Sequence, residues 1–204
     1  MKYILIFFIS LSAFTDDSRC RCSDNPGLDE SKLEKLKLWV APGLTLSSSK
    51  EGSKAGISAM VGGAYYFNGV VGITTGISYM QRGAIDQQRE LNANFLDIPI
   101  GFTFINGGSL TTNRFTLFNI GAFYSLPMSG SSSGIAKVPR SFTPDSSFGF
   151  FLDGILSFPI PGDITYGLYT SVKFSFSDML SVADNTILRA NNATNYSFGL
   201  AVVF

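Results

Sequence analysis

The chain has 204 residues, and only 15% of them are charged, whereas roughly a quarter are charged in soluble domains. Lysine plus arginine and aspartate plus glutamate number 15 each, so the charge balance gives no reason to expect a nucleic-acid partner. The absence of histidine excludes Ser-His-Asp catalysis and histidine-ligated metal sites. We therefore expect a non-enzymatic protein with no catalytic residue, cofactor or metal.

The first residues have the pattern of an export signal. Met1 and Lys2 precede an apolar run that ends at Phe14, which predicts a signal peptide over residues 1–14. A membrane anchor is the alternative, but a spanning helix needs about 20 apolar residues and Asp16 arrives first. The polar residues 15–35 are expected to form a short periplasmic leader.

From residue 36 onward, large apolar residues alternate with small or polar ones, which is the period of a β-strand. The alternation predicts eight strands, at residues 36–46, 54–67, 70–84, 92–105, 113–126, 147–158, 163–177 and 195–204. The connections alternate in length: those at 68–69, 106–112 and 159–162 are short, and those at 47–53, 85–91, 127–146 and 178–191 are longer and more polar. An even strand count with this loop pattern predicts an all-β fold, an eight-stranded antiparallel up-and-down transmembrane β-barrel over residues 36–204, with both barrel termini in the periplasm.

The two faces of the predicted strands differ in a way that indicates their surroundings. One face carries Phe, Leu, Ile, Val and Tyr, and the other carries mainly Gly, Ser, Thr, Ala and Asn. Because eight strands enclose a space only wide enough for side chains, we expect the small face to point inward and the large face to meet outer-membrane lipids. A secreted β-sandwich or lipocalin-like barrel is the alternative, and it would carry more charge on its exposed strand faces.

Charged residues also occur on the inward face of the predicted strands. A lysine on the lipid face would cost about 2–4 kcal/mol near the bilayer midplane, whereas opposite charges inside can pair. We therefore predict a structural polar network that fills and seals the lumen, formed by Lys37, Asp97, Asp153 and Lys173. A narrow conducting path is the functional alternative.

Several segments resemble the PorT-like family of small outer-membrane β-barrels. The matching stretches are Gly76-Ile77-Ser78-Tyr79-Met80-Gln81-Arg82-Gly83-Ala84, Phe95-Leu96-Asp97-Ile98-Pro99-Ile100, Asn119-Ile120-Gly121-Ala122-Phe123-Tyr124, Phe148-Gly149-Phe150, Tyr166-Gly167-Leu168 and residues 195–204. The segment Leu96-Asp97-Ile98-Pro99 is the most specific, since a proline inside a strand marks a bulge or an edge-like break in the hydrogen-bond ladder. The resemblance implies a barrel in the cell outer membrane.

Three functions stay open on the sequence. The first is a structural or interaction role through the long loops at 127–146 and 178–191, because loops on a rigid scaffold commonly carry binding sites. The second is a component of a protein secretion or envelope-assembly machine, which the PorT-like resemblance implies. The third is a narrow channel or a carrier of a small ligand.

Overall fold

The computed structural model of the chain describes most residues from Leu36 onward. The described ranges are 36–48, 52–67, 70–86, 89–106, 115–133, 139–142, 144–158, 164–176, 179–183, 186–190 and 194–204. The predicted signal peptide and leader, residues 1–35, lie outside the described residues. No helix in the described part of the chain is long and apolar enough to cross a membrane.

Eight strands form a closed antiparallel barrel. They are β1 (Leu36–Ser48), β2 (Ser53–Tyr66), β3 (Val71–Asp86), β4 (Arg89–Asn106), β5 (Thr116–Ser133), β7 (Ser147–Ser157), β8 (Thr165–Ser175) and β11 (Thr194–Val203). Each strand pairs with its neighbour in this series, and β1 pairs with β11 to close the ring. The predicted fold class and up-and-down order are confirmed.

Among the described residues, three further strands lie in regions that were predicted to be loops. β6 (Pro139–Phe142) pairs with the far end of β5, and β9 (Met179–Ala183) forms a hairpin with β10 (Thr186–Ala190). The predicted connection at 85–91 is largely strand, because β3 and β4 continue their pairing to Asp86 and Arg89. The prediction underestimated strand length here because polar residues at strand ends resemble loop residues.

The outward face of the barrel is a continuous apolar belt. Phe198, Leu168 and Ile98, on three different strands, have exposed fractions of 57%, 45% and 42%. Burial alternates along each strand in the predicted phase, with the large apolar side chains outside. A folded protein in water would not leave so many large apolar side chains exposed, so this surface is suited to contact with hydrocarbon.

The interior differs from the expectation of small and polar residues throughout. A cluster of buried apolar side chains, which we call the apolar plug, fills the end of the lumen next to the short connections; it consists of Trp39, Ala41, Met60, Ala64, Tyr66, Ile105, Phe115, Leu117, Ile155, Tyr169, Ala201 and Val203. The ring of Trp39 fits into the plug because residue 62 is a glycine: a Cβ atom at Gly62 would lie 2.5 Å from Cζ2 of Trp39. Large and small inward residues therefore alternate to fill a narrow space.

At the long-loop end, the barrel extends well beyond the apolar belt. We call this part, formed by the ends of β3, β4 and β5, the projecting wall. β4 has 18 residues, so at about 3.3 Å per residue it is about 59 Å long. With a tilt of about 40°, it spans about 45 Å along the barrel axis, whereas the apolar band of such barrels is about 25 Å tall. The outward side chains of β4 change from Leu96 to Asn94 and Asn92 where the belt ends.

Side-chain contacts hold this projecting wall together. Tyr79 donates a hydrogen bond to Asn94 over 2.9 Å, and Asn94 donates one to Ser129 over 2.9 Å. Lys54 donates to Glu90 and pairs with its charge, which lowers the pKa of the Glu90 carboxyl below its ordinary value. The wall is thus polar and internally bonded where it leaves the belt.

The backbone pairing of β4 is irregular at two points. The β3–β4 ladder is interrupted at Ile98 and Pro99, and Thr75 Oγ1 donates instead to the carbonyl oxygen of Pro99 over 2.9 Å. The predicted edge-like break at Pro99 is confirmed, because this residue has no N–H to donate. A register shift in the β4–β5 ladder follows between Asn94 and Phe95.

Candidate functional site

Asp97 is the centre of a buried charged cluster in the half of the lumen nearer the long loops. Alternation along β4 points it inward, and its exposed fraction is 0%. Its cross-strand partners are Ser78 on β3 and Ser125 on β5, and Ser125 donates a hydrogen bond to Asp97 Oδ1 over 2.5 Å. A buried carboxylate needs compensating donors, and the neighbouring strands supply them.

Arg82 on β3 provides the first cation. Its Nη2 atom lies 2.7 Å from both carboxylate oxygens of Asp97 and 3.0 Å from Ser125 Oγ. The guanidinium carbon lies 4.6 Å from the ring centroid of Phe95 and 5.4 Å from that of Phe123. Arg82 has an exposed fraction of only 2%. Its ion pair and its contacts with the two rings together hold the guanidinium in one position.

Lys173 on β8 provides the second cation from the other side of the lumen. Its Nζ atom lies 2.8 Å from Asp97 Oδ2 and 3.2 Å from Ser78 Oγ, and 5.5 Å from the Phe123 ring centroid. The cluster therefore ties β3, β4, β5 and β8 together across the barrel. Of the four residues predicted for the lumenal network, Asp97 and Lys173 are in direct contact.

Asp153 lies beside this cluster without a direct ion pair to it. It is buried on β7, opposite Ser171 on β8, and Ser171 donates a hydrogen bond to Asp153 Oδ1 over 2.5 Å. Lys173 is two residues further along β8 on the same face, so the two side chains are diagonal neighbours at about 7–8 Å. No described lysine or arginine lies within ion-pair distance of Asp153.

Lys37 lies at a different height from the charged cluster, and its part in the predicted network stays a prediction. Its side chain points inward, as predicted. Following the pairing from Lys37 to Ala64 on β2 leads to Thr74 on β3, whereas Asp97 pairs with Ser78 on β3. The four residues between Thr74 and Ser78 correspond to about 13 Å along the strand. Alternation assigns a side chain to a face but does not give its height in the barrel.

Arg82 is the closest charged partner of Asp97 and was not among the residues predicted for the network. The signal that identifies it is the parity of β3, where Thr74, Ser78 and Arg82 lie on the same inward face. The aromatic rings of Phe95 and Phe123 also lie inward, on a face expected to carry small residues. A barrel with a long buried arginine needs such rings to fill the space around its side chain.

The geometry of the cluster supports filling of the lumen by paired polar side chains. Asp97 pairs with both Arg82 and Lys173, and serine side chains on the neighbouring strands add hydrogen bonds. Among the described residues, no group of three histidine, cysteine or acidic side chains is placed to hold a metal ion. With the apolar plug below it, the cluster occupies the lumen at a second level.

Comparison with known proteins gives similarity in structure only. The sequence matches no protein-family model, and no curated protein matches it. Neisserial surface protein A (NspA) superposes with a TM-score of 0.54 at 13% sequence identity, covering 83% of this chain and 96% of NspA. OprG of Pseudomonas aeruginosa gives 0.48 at 9% identity, covering 82% and 95%. Ail of Yersinia pestis gives 0.47 at 12% identity, covering 83% and 97%. The chain has the fold of NspA, a closed eight-stranded antiparallel β-barrel.

Proposed function

We propose that this chain is a non-enzymatic outer-membrane barrel protein that acts through the polar structure at its long-loop end. The outward apolar belt supports a membrane location, because exposed side chains such as Phe150, Leu200 and Ile100 are favourable in hydrocarbon and costly in water. The predicted signal peptide supports export, and on the usual layout both barrel termini face the periplasm.

The projecting wall is the observation that supports an interaction role. A barrel needs about 9–11 residues per strand to cross a membrane, but β4 and β5 each have 18. The additional residues continue the ladder beyond the belt, and β6 widens it. Extended, hydrogen-bonded structure outside the membrane supports a rigid surface for a partner, which loops alone would not offer.

The filled interior supports this role over conduction through the barrel. The cluster around Asp97 and the apolar plug occupy two successive levels of the lumen. We expect the purified protein to produce no steady conductance in planar lipid bilayers. Stable, large current steps that persist after repurification would contradict the sealed lumen and favour the channel alternative.

Site-specific photo-cross-linking in intact cells tests the interaction role. A photoreactive amino acid replaces Met128, which is exposed at the register shift of β5 just beyond the belt. We expect protein or surface-glycan adducts from this position. The matched control places the same amino acid at Leu200, an exposed residue at mid-belt, where lipid adducts are expected.

A deletion tests whether the projecting wall is the binding element. Removal of residues 131–141 leaves Gly130 next to Phe142, its natural cross-strand partner, so the barrel below is kept intact. We expect the deletion to abolish adducts from Met128 while the protein still shows the heat-dependent gel shift of a folded barrel. Unchanged adducts in the deletion variant would contradict the proposal.

The secretion-component alternative rests on the PorT-like resemblance and stays a prediction. The most specific matching segment holds Asp97 and Pro99, which here act in the barrel wall and its internal cluster. This alternative predicts stable co-purification with large envelope proteins from detergent extracts. Recovery of the barrel alone, under conditions that preserve such machines, would contradict it.

A further inference from the structure

A series of polar side chains follows the cross-strand register around the lumen, from the apolar plug, where Thr103 meets Tyr66, toward the charged cluster, where Thr45 bonds the backbone beside Arg82. Its members are direct cross-strand partners on six successive strands, and we call them the polar rung: Thr103, Asn119, Asp153, Ser171, Ser197 and Thr45. All six are almost completely buried, with exposed fractions of 2% or less. Such a series is costly to bury unless its groups are hydrogen-bonded.

Several atoms of the polar rung have no hydrogen-bond partner among the described residues. They are both amide atoms of Asn119, Oδ2 of Asp153 and Oγ of Ser197. Each unsatisfied buried group costs about 1–3 kcal/mol, and native proteins rarely leave such groups unpaired. The concentration of these atoms at Asn119 and Asp153, which face each other across β5 and β7, indicates a common ligand.

We infer that Asn119 and Asp153 form a buried site that binds one or more internal water molecules. Directly opposed residues on antiparallel strands have Cβ atoms about 4.5–5.5 Å apart, so one small molecule can contact both side chains. The two side chains offer a donor at Asn119 Nδ2 and acceptors at Asn119 Oδ1 and Asp153 Oδ2. Water supplies both hydrogen-bonding functions, and buried water typically makes about three such bonds.

Charge balance argues against a cation at this site. The buried interior around it holds two cations, Arg82 and Lys173, and two carboxylates, Asp97 and Asp153. An additional metal ion would leave a net positive charge in a medium of low dielectric constant, which is strongly unfavourable. The ligand is therefore neutral.

The site sets the boundary between a hydrated and a dry part of the lumen. Two residues further along the strands, Leu117 and Ile155 belong to the apolar plug and offer a water molecule no partner, so among the described residues on this side only the hydroxyl of Tyr169, opposite Ile155, borders Asp153. On the other side, Lys173 is the diagonal neighbour of Asp153, so bound water would link Asp153 to the charged cluster.

Water-selective NMR of the deuterated full chain in lipid nanodiscs tests the inference. We expect cross-relaxation between water and the side-chain amide protons of Asn119, with the sign that marks a long-lived water molecule. The backbone amide of Leu117, in the plug, is the internal control and should show none. Absence of the Asn119 signal would overturn the inference.

A high-resolution crystal structure provides the second measurement. We expect solvent density within hydrogen-bond distance of Asp153 Oδ2 and of the Asn119 amide, and loss of this density in Asn119→Leu. Direct contact between Asn119 Nδ2 and Asp153 Oδ2, with no solvent density, would overturn the inference. Anomalous signal at the site after a rubidium soak would also overturn it, because it would identify a cation.

Discussion

The charge balance of the buried cluster makes Asp97→Asn a demanding test of the interior. This substitution keeps the shape of the side chain and removes its negative charge. The two cations that lie within 2.8 Å of the carboxylate would then face an amide, with Asp153 as the nearest remaining carboxylate. One buried positive charge would be left uncompensated.

The expected loss of stability is large for a single isosteric substitution. Breaking a buried ion pair by removing one partner costs about 3–5 kcal/mol, because the remaining charge stays desolvated. A loss of this size lowers the folding equilibrium constant by roughly 100- to 4,000-fold. Adding Arg82→Met to Asp97→Asn restores the balance between Lys173 and Asp153, so the double variant should be more stable than Asp97→Asn alone.

Urea unfolding in lipid vesicles measures the effect. Trp39 is the single tryptophan of the chain and is fully buried in the apolar plug, so its fluorescence reports loss of the folded barrel. Asp145→Asn makes the same chemical change at an exposed carboxylate and serves as the matched control. The control should stay within about 0.5 kcal/mol of wild type.

Two results would refute the reasoning about this cluster. The first is an Asp97→Asn variant within about 1 kcal/mol of wild type, since this lies below the range for a broken buried ion pair. The second is a double variant less stable than Asp97→Asn alone, since this would show that charge balance does not govern the interior.

Two further predictions address the plug and the belt. Gly62→Ala should displace the Trp39 ring, shift its fluorescence to the red and cost about 1–3 kcal/mol, whereas Gly63→Ala next to it should be tolerated because its Cβ meets the end of a flexible side chain. Equal effects of the two substitutions would contradict the plug geometry. Leu200→Lys at mid-belt should cost about 2–4 kcal/mol in vesicle unfolding, and Phe204→Lys at the belt edge about 0–1. Reversal of this order would contradict the position of the belt.

The outward face was predictable because its signal is local. Side chains two residues apart share a face whatever the rest of the chain does, so Tyr196, Phe198 and Leu200 could be assigned to one surface from their spacing alone. The break at Pro99 was predictable for a related reason, because a missing N–H is a property of the residue itself.

The extent of the strands was not predictable in the same way. The residues after Leu126 are mainly Ser and Gly, which are typical of loops, yet β5 continues to Ser133. Pairing with β4 on one side and β6 on the other supplies the hydrogen bonds that hold these residues in a strand. Local composition carries no information about such partners.

Sequence alone determined that this chain alternates with a period of two, that its large apolar residues share one face, and that Asp97 and Lys173 turn the other way. Only the closed barrel decided which inward residues meet. Asp97 contacts Lys173, 76 residues away, and Arg82, 15 residues away, while Lys37 lies at a different height. The physical reason is that the stagger of strands around a barrel sets these heights, and stagger is a property of the whole ring.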